Sequence, residues 1–464
     1  MIKKSLAIIS IFIFACISSV TAQQLLSLEQ CRQLAIENNK TLKIATEEER
    51  VAYYNKKEAL SKYFPEIQFV GGYLHNQKNL YLIPSSAIPS SITLPIEIPN
   101  IGNTIPVSDE VRNAIHNVGK VDIKNIWAGG FNLTQPIFMG GKIVAYNDLR
   151  SYAEELAKTM KETKMTDVIV EVDNAYWQVV SVANKKKLAE SYVELMQKMD
   201  SDISAMEQEG VVTKADRLSV NVKLNEAEMT LTKAENGLSL AKMLLSQICG
   251  LDISDAITLQ DENISNVDVS KEADAMPNVD EALVNRTEIR SLELATKIYE
   301  KQEKIALADF MPNLAFTANY LWTNPNLFDG YEKKFGGMWN VGVVLKVPLN
   351  FFSNSSKLNA AKAETRIKKY ELADAKEKIT LQINQSAYKL NEAYKKLAMA
   401  KKNSEKADEN LRYANVGFDE GVIASSDVMT AHTAWLAAHS DLIDAQIDIV
   451  LCKIYLNKAL GRKL

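Results

Sequence analysis

Hydrophobic and polar positions alternate along the chain with two periods, one typical of helices and one typical of strands. In residues 213–249, leucines recur every seven positions, and a second apolar series follows them by three positions. The leucines are Leu224, Leu231, Leu238 and Leu245, and the second series is Ala227, Ala234, Ala241 and Ile248. This heptad repeat predicts a coiled-coil helix. Residues 142–208 contain neither proline nor glycine, which predicts a preceding helix of ~100 Å at about 1.5 Å per residue.

The helical pattern occurs twice. Gly210-Val211 separates the first two helices, and Gly421-Val422 stands 211 positions later, between residues 357–418 and 424–460. The heptad phase is duplicated too, because Trp435, Leu442, Ile449 and Leu456 stand 211 positions after the four leucines. A match over this span indicates an internal duplication. We expect a first repeat at 23–251, a linker at 252–280 and a second repeat at 281–464.

Each repeat also contains a predicted β-hairpin, at residues 66–136 and 313–348. The strands alternate apolar and polar positions, as half-buried strands do. The polar face carries Asn132, Thr134, Asn313, Thr317, Asn319 and Asn340. Five prolines interrupt residues 75–125, so we expect a long loop there, with a short helix near residues 111–117.

Four strands are too few to close a transmembrane barrel, since the smallest known barrels have about eight. Two arrangements satisfy the pattern. The hairpins could pack on the helices of their own chain, or three chains could join their strands into one 12-stranded barrel with apolar residues outside and polar residues lining the lumen.

The N-terminus predicts a secretory signal peptide at residues 1–22. Lys3 and Lys4 precede an apolar run, and Val20-Thr21-Ala22 offers a cleavage site with small residues. Lipidation at Cys16 is the alternative, although the bulky Phe14 makes a poor lipidation motif. No later run of about 18 apolar residues predicts a transmembrane helix. A net charge of -4 gives no support to a nucleic-acid partner.

Reactive residue types form no recognisable site. We interpret Cys31, Cys249 and Cys452 as small apolar core residues, because an odd count is not a disulfide framework. His432 and His439 are seven positions apart, which is too far for a shared metal ion on one helix. Neither a nucleophile–base pair nor a glycine-rich phosphate loop occurs, so we predict no catalytic residue, no metal and no cofactor.

The order of several short motifs resembles the TolC-type outer-membrane efflux proteins over residues 25–462. The motifs are Ser27-Leu28-Glu29-Gln30 with Asn38-Asn39, Phe64-Pro65-Glu66-Ile67, Leu133-Thr134-Gln135-Pro136-Ile137-Phe138 with Gly140-Gly141, the two Gly-Val turns with Asp216 and Asp427, and the repeat ends at Leu251 and Gly461. The resemblance implies a mainly helical fold, with long antiparallel hairpins forming a periplasmic tunnel and four strands per chain contributing to a trimeric barrel in the outer membrane. It also implies a periplasmic adaptor and an inner-membrane transporter as partners.

Seven residues near the two Gly-Val turns are the candidate functional residues. Asp427, Asp216 and Thr430 are expected at the channel entrance, where the resemblance places an aspartate and where Thr430 replaces a frequent second aspartate. For both aspartates, a stabilising effect on the helix dipole is the local alternative, and Thr213 and Asp216 also have the form of a capping box. The candidate adaptor contacts are Gly210, Val211, Gly421 and Val422, although glycine at these positions also serves chain reversal.

The preferred function is a passive outer-membrane channel of a tripartite efflux or type I secretion system. A structural or adhesive coiled-coil protein of the cell surface is the alternative, and it would not need a wet polar face on its strands. A secreted enzyme with helical arms would need a pocket of which the sequence gives no sign.

Overall fold

The computed structural model describes residues 25–98, 102–254, 256–262, 278–329 and 331–462. The predicted signal peptide, Cys16 and most of the predicted linker lie outside the described residues. The chain divides into two compact units. The helical unit comprises the described residues within Met1–Tyr53, Tyr152–Lys297 and Arg366–Leu464, and the sheet unit comprises those within Tyr54–Ser151 and Ile298–Thr365.

Helices make up most of the described residues. They are α1 (Leu28–Asn38), α2 (Lys40–Ser61), α3 (Asp109–Val118), α4 (Lys142–Gln208), α5 (Lys214–Ile248), α6 (Val279–Asn285), α7 (Thr287–Ala308), α8 (Phe351–Asp419) and α9 (Ser425–Ala459). The strands are β1 (Leu25–Leu26), β2 (Glu66–His75), β3 (Leu80–Tyr81), β4 (Ser91–Ile98), β5 (Gly102–Pro106), β6 (Lys120–Val121), β7 (Asn125–Met139), β8 (Thr258–Leu259), β9 (Asn313–Asn324) and β10 (Gly336–Lys346).

In the helical unit, the heptad residues form the buried stripe of each return helix. Ala227, Ala241 and Leu245 of α5 are buried, and so are Ala445 and Ile449 of α9. Small residues such as alanine allow neighbouring helices to approach closely. The coiled-coil prediction is therefore confirmed in both repeats.

Ion pairs tie the long helix of the first repeat to the return helix of the second. Lys185 of α4 lies 2.7 Å from the carboxylate of Asp444, and Lys458 of α9 lies 2.6 Å from the carboxylate of Asp167. Since all four side chains are partly exposed, each pair contributes only about 0–1 kcal/mol. The apolar stripes rather than these pairs hold the hairpins together.

The sheet unit contains one antiparallel sheet in the order β10-β9-β7-β2. Each hairpin pairs its own two strands, and β7 pairs with β9 to join the repeats. Both predicted hairpins are therefore present. Strands β10 and β2 form the two edges of the sheet, so each pairs on one side only among the described strands.

Two segments predicted to be irregular contain additional structure. Residues 75–125 form the predicted short helix, α3, and also two strand pairs, β3–β6 and β4–β5. The prediction of a long loop with a helix as its only regular element was therefore wrong. Within the predicted linker, β8 pairs in parallel with β1. No helix among the described residues has the length and apolar character needed to cross a membrane.

Candidate functional site

The first hairpin reverses direction at Gly210, just after the end of α4. Its backbone φ is 72°, a left-handed conformation that glycine adopts readily. The amide of Gly210 donates to the carbonyl of Glu207 at 3.0 Å, and the amide of Val211 donates to that of Met206 at 2.9 Å. These bonds pair carbonyl groups that the helix end would otherwise leave free. Chain reversal alone therefore accounts for glycine at this position.

Helix α5 begins with a complete capping box between Thr213 and Asp216. The Asp216 amide donates to the Thr213 hydroxyl at 3.2 Å, and the Thr213 amide donates to the Asp216 carboxylate at 2.9 Å. The hydroxyl of Thr213 donates to the same carboxylate oxygen at 2.7 Å. Because these bonds favour the charged form, the pKa of Asp216 lies below its ordinary value of 3.8. The carboxylate of Asp216 is thus engaged locally.

The second hairpin turns at Gly421 with the same geometry. Its φ is 74°, and its amide donates to the carbonyl of Phe418 at 2.9 Å. The amide of Val422 donates to the carbonyl of Gly417 at 2.7 Å. The duplicated sequence therefore builds the same turn twice.

The start of α9 differs from the start of α5, because Ala424 occupies the N-cap. Alanine makes no side-chain capping bond there, and the Asp427 amide donates to the Ala424 carbonyl at 3.0 Å instead. Asp427 is exposed. Within the described part of the chain, its carboxylate makes no ion pair or side-chain hydrogen bond. Asp427 is consequently a free surface charge, whereas Asp216 is a cap.

Basic residues lie near the first turn but not near the second. Arg217 bridges to the carboxylate of Glu207 at 2.9 Å across the first turn. In the second hairpin, the sequence contains no lysine or arginine between Arg412 and Lys453. The carboxylates of the second turn therefore lack a basic neighbour along their own hairpin.

The two turns share one apolar cluster. The second valine of the first turn, Val212, and the corresponding Ile423 pack against a core formed by α4, α5, α8 and α9. Val211 and Val422 point away from that core and are 72% and 81% exposed. The structure therefore brings the four predicted adaptor-contact residues together and leaves both exposed valines without a partner in the described chain.

Thr430 lies on the same helix as Asp427, three positions further on, and is exposed. Its hydroxyl donates to the carbonyl of Ser426 at 2.9 Å. This bond within the helix occupies the hydroxyl hydrogen, and the threonine side chain itself carries no charge. Asp427 and Thr430 therefore form a less acidic surface than two aspartates would.

A row of amide side chains crosses the sheet on its polar face. Gln68, Asn132, Asn319 and Asn340 are direct neighbours on β2, β7, β9 and β10. The amide nitrogen of Asn132 donates to Asn319, and the amide nitrogen of Asn319 donates to Asn340 at 2.8 Å. The hydroxyl of Thr134 donates to the amide oxygen of Asn132 at 3.0 Å. The alternation predicts the polar faces of these strands, Gln68 included, but not the bonded row, because strand register across two hairpins is not visible in it.

The opposite face of the sheet is apolar and aromatic. The rings of Phe69, Phe131 and Trp322 lie 5.4–5.8 Å apart. The Trp322 indole lies directly over Gly129, where an added Cβ would come within 3.0 Å of the ring. Most of these aromatic side chains are exposed in the chain. A large apolar surface of this kind is typical of contact with lipid or with another protein.

The described residues offer no alternative chemical centre. No group of three or more histidine, cysteine, aspartate or glutamate side chains among the described residues could hold a metal ion. His432 is buried, and burial lowers the pKa of its imidazole. The desolvated ring is therefore neutral near pH 7.

Comparison with known proteins gives a family match for the second repeat and solved structures with the same fold. The family described as outer membrane efflux protein matches residues 278–462, which form the second repeat. No curated protein sequence matches the chain significantly. Three solved structures share the fold, and each aligns with 94% of this chain.

The three structures come from different bacteria. The CmeC outer membrane channel of Campylobacter jejuni has 16% identity, 85% of its own chain covered and a TM-score of 0.73. The outer membrane protein VceC of Vibrio cholerae has 14% identity, 96% of its chain covered and a TM-score of 0.71. The MtrE outer membrane channel of Neisseria gonorrhoeae, solved in an open state, has 15% identity, 89% covered and a TM-score of 0.70.

The family match lies on the second repeat, and the first repeat carries the same duplicated turn and heptads with the same overall fold. The match supports outer-membrane localisation with a periplasmic part. Residues 278–462 match the outer membrane efflux protein family, and the chain as a whole shares the fold of the three solved structures.

Proposed function

We propose that the protein is an outer-membrane channel-tunnel that conducts solutes passively from a periplasmic partner to the exterior. The four-stranded sheet carries this proposal, because one face is aromatic and the other bears a continuous amide row. Such a sheet suits a wall between lipid and water. A structural or adhesive coiled-coil protein would need no water-lined row.

In this proposal, three copies of the sheet close into one β-barrel. Within one chain the strands alternate in direction from β2 to β10, so β10 of one copy meets β2 of the next in an antiparallel arrangement. A trimer then has 12 strands and no open edge. Closure also joins the three amide rows into a ring around the lumen. Because this ring is uncharged, it discriminates little between cations and anions. Selectivity for cations must therefore come from the helical unit.

The hairpin turns supply that charge at the periplasmic entrance. Asp427, Asp216 and Thr430 line the entrance in this proposal, and Asp427 provides the free carboxylate. Three symmetry-related Asp427 side chains attract cations and repel anions. Opening is an outward movement of the hairpins, favoured by contact with partners.

The periplasmic partner docks on the exposed valines. Gly210 and Gly421 shape the turns, while Val211 and Val422 present apolar side chains beyond the packed core. Exposed apolar side chains at a rigid turn favour protein contact. A periplasmic adaptor and an inner-membrane transporter are the expected partners, and the transporter supplies the energy.

Ion conductance in planar lipid bilayers tests the channel. We expect the purified trimer to give small cation-selective steps, and we expect Asp427→Ala to enlarge the steps and to reduce the selectivity. Asp216→Ala is the matched control, because its carboxylate is engaged by Thr213. Folded trimers without any conductance would overturn the proposal and favour the structural alternative, whereas equal selectivity in all three proteins would remove Asp427 from the entrance.

Site-specific photo-cross-linking in cells tests the docking surface. A photoreactive residue at Val422 should form an adduct with one periplasmic protein. The control position is Val118 in the sheet unit, which is 84% exposed and therefore equally accessible. The same adduct from both positions would show that the valines of the turns are not a specific contact.

A further inference from the structure

Two cysteines that are 218 positions apart in the chain meet in the core of the helical unit. Cys31 lies in α1, and Cys249 follows the last residue of α5. Their exposed fractions are 0% and 1%. The Cys249 thiol donates to the Cys31 carbonyl oxygen with Sγ···O at 3.5 Å, and both side chains lie in the same buried apolar cluster. Both residues are free thiols in the structure.

The backbone on each side of the pair is held in place. Beside Cys31, the guanidinium of Arg32 forms two bonds of 2.7 Å with the buried carboxylate of Asp173. Beside Cys249, the amide nitrogen of Asn39 donates to the carbonyl of Ile248 at 2.8 Å. The packing fixes the relative position of the two cysteines, as a disulfide requires.

The second repeat shows that this junction does not itself need a cysteine. Gly250 and Gly461 occupy equivalent positions, and each lies against an asparagine, Asn38 or Asn285. The residue before Gly461 is Leu460, which is buried in an apolar cluster where the first repeat has Cys249. Arg286 holds the second junction by donating to the carbonyls of Lys458 and Ala459 at 3.2 Å. A cysteine pair is thus particular to the first junction.

The compartment favours oxidation of such a pair. Proteins reach the outer membrane through the periplasm, where disulfides form and persist. We propose that Cys31 and Cys249 form a disulfide in the mature protein, made while the chain folds in the periplasm. This proposal depends on the outer-membrane assignment, but not on conduction by the channel.

The reaction needs an oxidant, which we take to be a periplasmic dithiol–disulfide oxidoreductase in its disulfide form. One cysteine thiolate attacks the disulfide of the oxidoreductase, and one sulfur of the enzyme leaves as a thiolate. The second cysteine then attacks the mixed disulfide. The protein loses two protons and two electrons overall, and the oxidoreductase becomes a dithiol.

The reaction precedes burial. In the folded chain, the hydrogen bond with Cys249 and burial both raise the pKa of the Cys31 thiol, so it remains a neutral and poor nucleophile. With both sulfurs buried, an enzyme has no access to them. The cross-link therefore forms before the core closes, and reduction of the mature protein requires unfolding.

Cys452 provides an internal reference. It lies on α9, is only partly buried and is a free thiol in the structure. Thiol counting can therefore separate a specific pair from general oxidation. Among Cys31, Cys249 and Cys452, which all follow the predicted signal peptide, the proposal predicts one reactive thiol in the denatured, unreduced chain and three after reduction.

The experiment blocks free thiols with N-ethylmaleimide during cell lysis and denaturation, before the protein is purified from outer membranes. Mass spectrometry should find the maleimide on Cys452 alone, and a peptide pair joined through Cys31 and Cys249 that separates on reduction. Cys249→Ala should leave two modified cysteines in place of one. Maleimide on all three wild-type cysteines would overturn the proposal, and so would a cross-link that involves Cys452.

A second measurement connects the cross-link to stability. Reductant added to the urea-denatured wild-type protein should lower the urea concentration at the midpoint of refolding. The reason is that reduction opens a long closed loop in the unfolded chain. The Cys31→Ala/Cys249→Ala variant should refold at the same midpoint with and without reductant. An unchanged wild-type midpoint would contradict the stabilising role, whatever the conductance of the refolded protein.

Discussion

The two hairpin turns have the same backbone and different chemistry. Both use glycine at a positive φ, and both pack the second residue after that glycine, half-buried, against the same core. In the first turn Thr213 engages Asp216, whereas in the second Ala424 leaves Asp427 free. A duplicated sequence can thus keep the backbone of a turn while only one of the two copies has an unpaired carboxylate.

The packing beneath the turns differs as well. In the second hairpin, Ile423 fits against Gly417 on α8. The first hairpin has Val212 and Met206 at the equivalent positions. A larger residue in the turn is thus combined with a smaller residue on the helix, so each copy fills the same space in its own way.

Gly417→Met should change the relative stability of the two turns more than any other variant. A Cβ at position 417 would lie 2.5 Å from the Cδ1 atom of Ile423, so the second turn would be overpacked at a cost of about 1–3 kcal/mol. Hydrogen–deuterium exchange of the detergent-solubilised trimer should show faster exchange at the second turn only. Gly417→Met/Ile423→Val reproduces the residue pair of the first hairpin and should recover much of the protection. If protection does not recover, a smaller residue at position 423 does not compensate for a larger residue at position 417.

Thr213→Ala should have the next largest effect, on the first turn. Loss of an N-cap hydroxyl destabilises a helix by about 1 kcal/mol, so local exchange around Asp216 should rise roughly fivefold, because about 1.4 kcal/mol corresponds to a factor of 10. Thr213→Ser retains the hydroxyl and is the control. Equal exchange in both variants would show that the capping box does not stabilise this hairpin.

Much of this architecture could be predicted because it depends on local periodicity. The heptads fix the buried stripes of α5 and α9, and the alternation of β9 fixes its two faces. The absence of proline and glycine predicts α4 to its observed ends at Lys142 and Gln208. The capping box at Thr213 is also visible, since its two residues are three positions apart.

Long-range pairing could not be predicted from the same patterns. The short strands β1 and β8 pair over more than 200 positions, and neither has enough residues to show alternation. Pro95 lies within β4 and suggests a loop. The contact between Cys31 and Cys249 depends on how α1 meets the end of α5, which no spacing reveals.

Ala424→Thr should make the second turn resemble the first, with a smaller effect on stability. The new hydroxyl can accept from the Asp427 amide, and the Asp427 carboxylate can accept from the Thr backbone, as Asp216 does. The gain is up to about 1 kcal/mol. Because the carboxylate turns toward the cap, we expect cation selectivity to fall toward that of Asp427→Ala. Ala424→Val adds similar bulk without a hydroxyl, so equal selectivity in the two variants would rule out capping as the cause.

Acidification should have the smallest effect, and it should separate the two turns. The folded-state pKa of Asp216 lies below its ordinary value of 3.8, because Thr213 hydrogen-bonds to the carboxylate. The stabilisation is therefore fully present above pH 3.8 and is lost as the pH falls through the lower folded-state value. In exchange measurements corrected for the intrinsic pH dependence, protection of the first turn should decrease below that pH in the wild-type protein and decrease less in Thr213→Ala, which keeps only the backbone donor to the carboxylate. Since no capping box closes the second turn, the loss should be confined to the first turn, and the same loss of protection at both turns would indicate general acid unfolding instead.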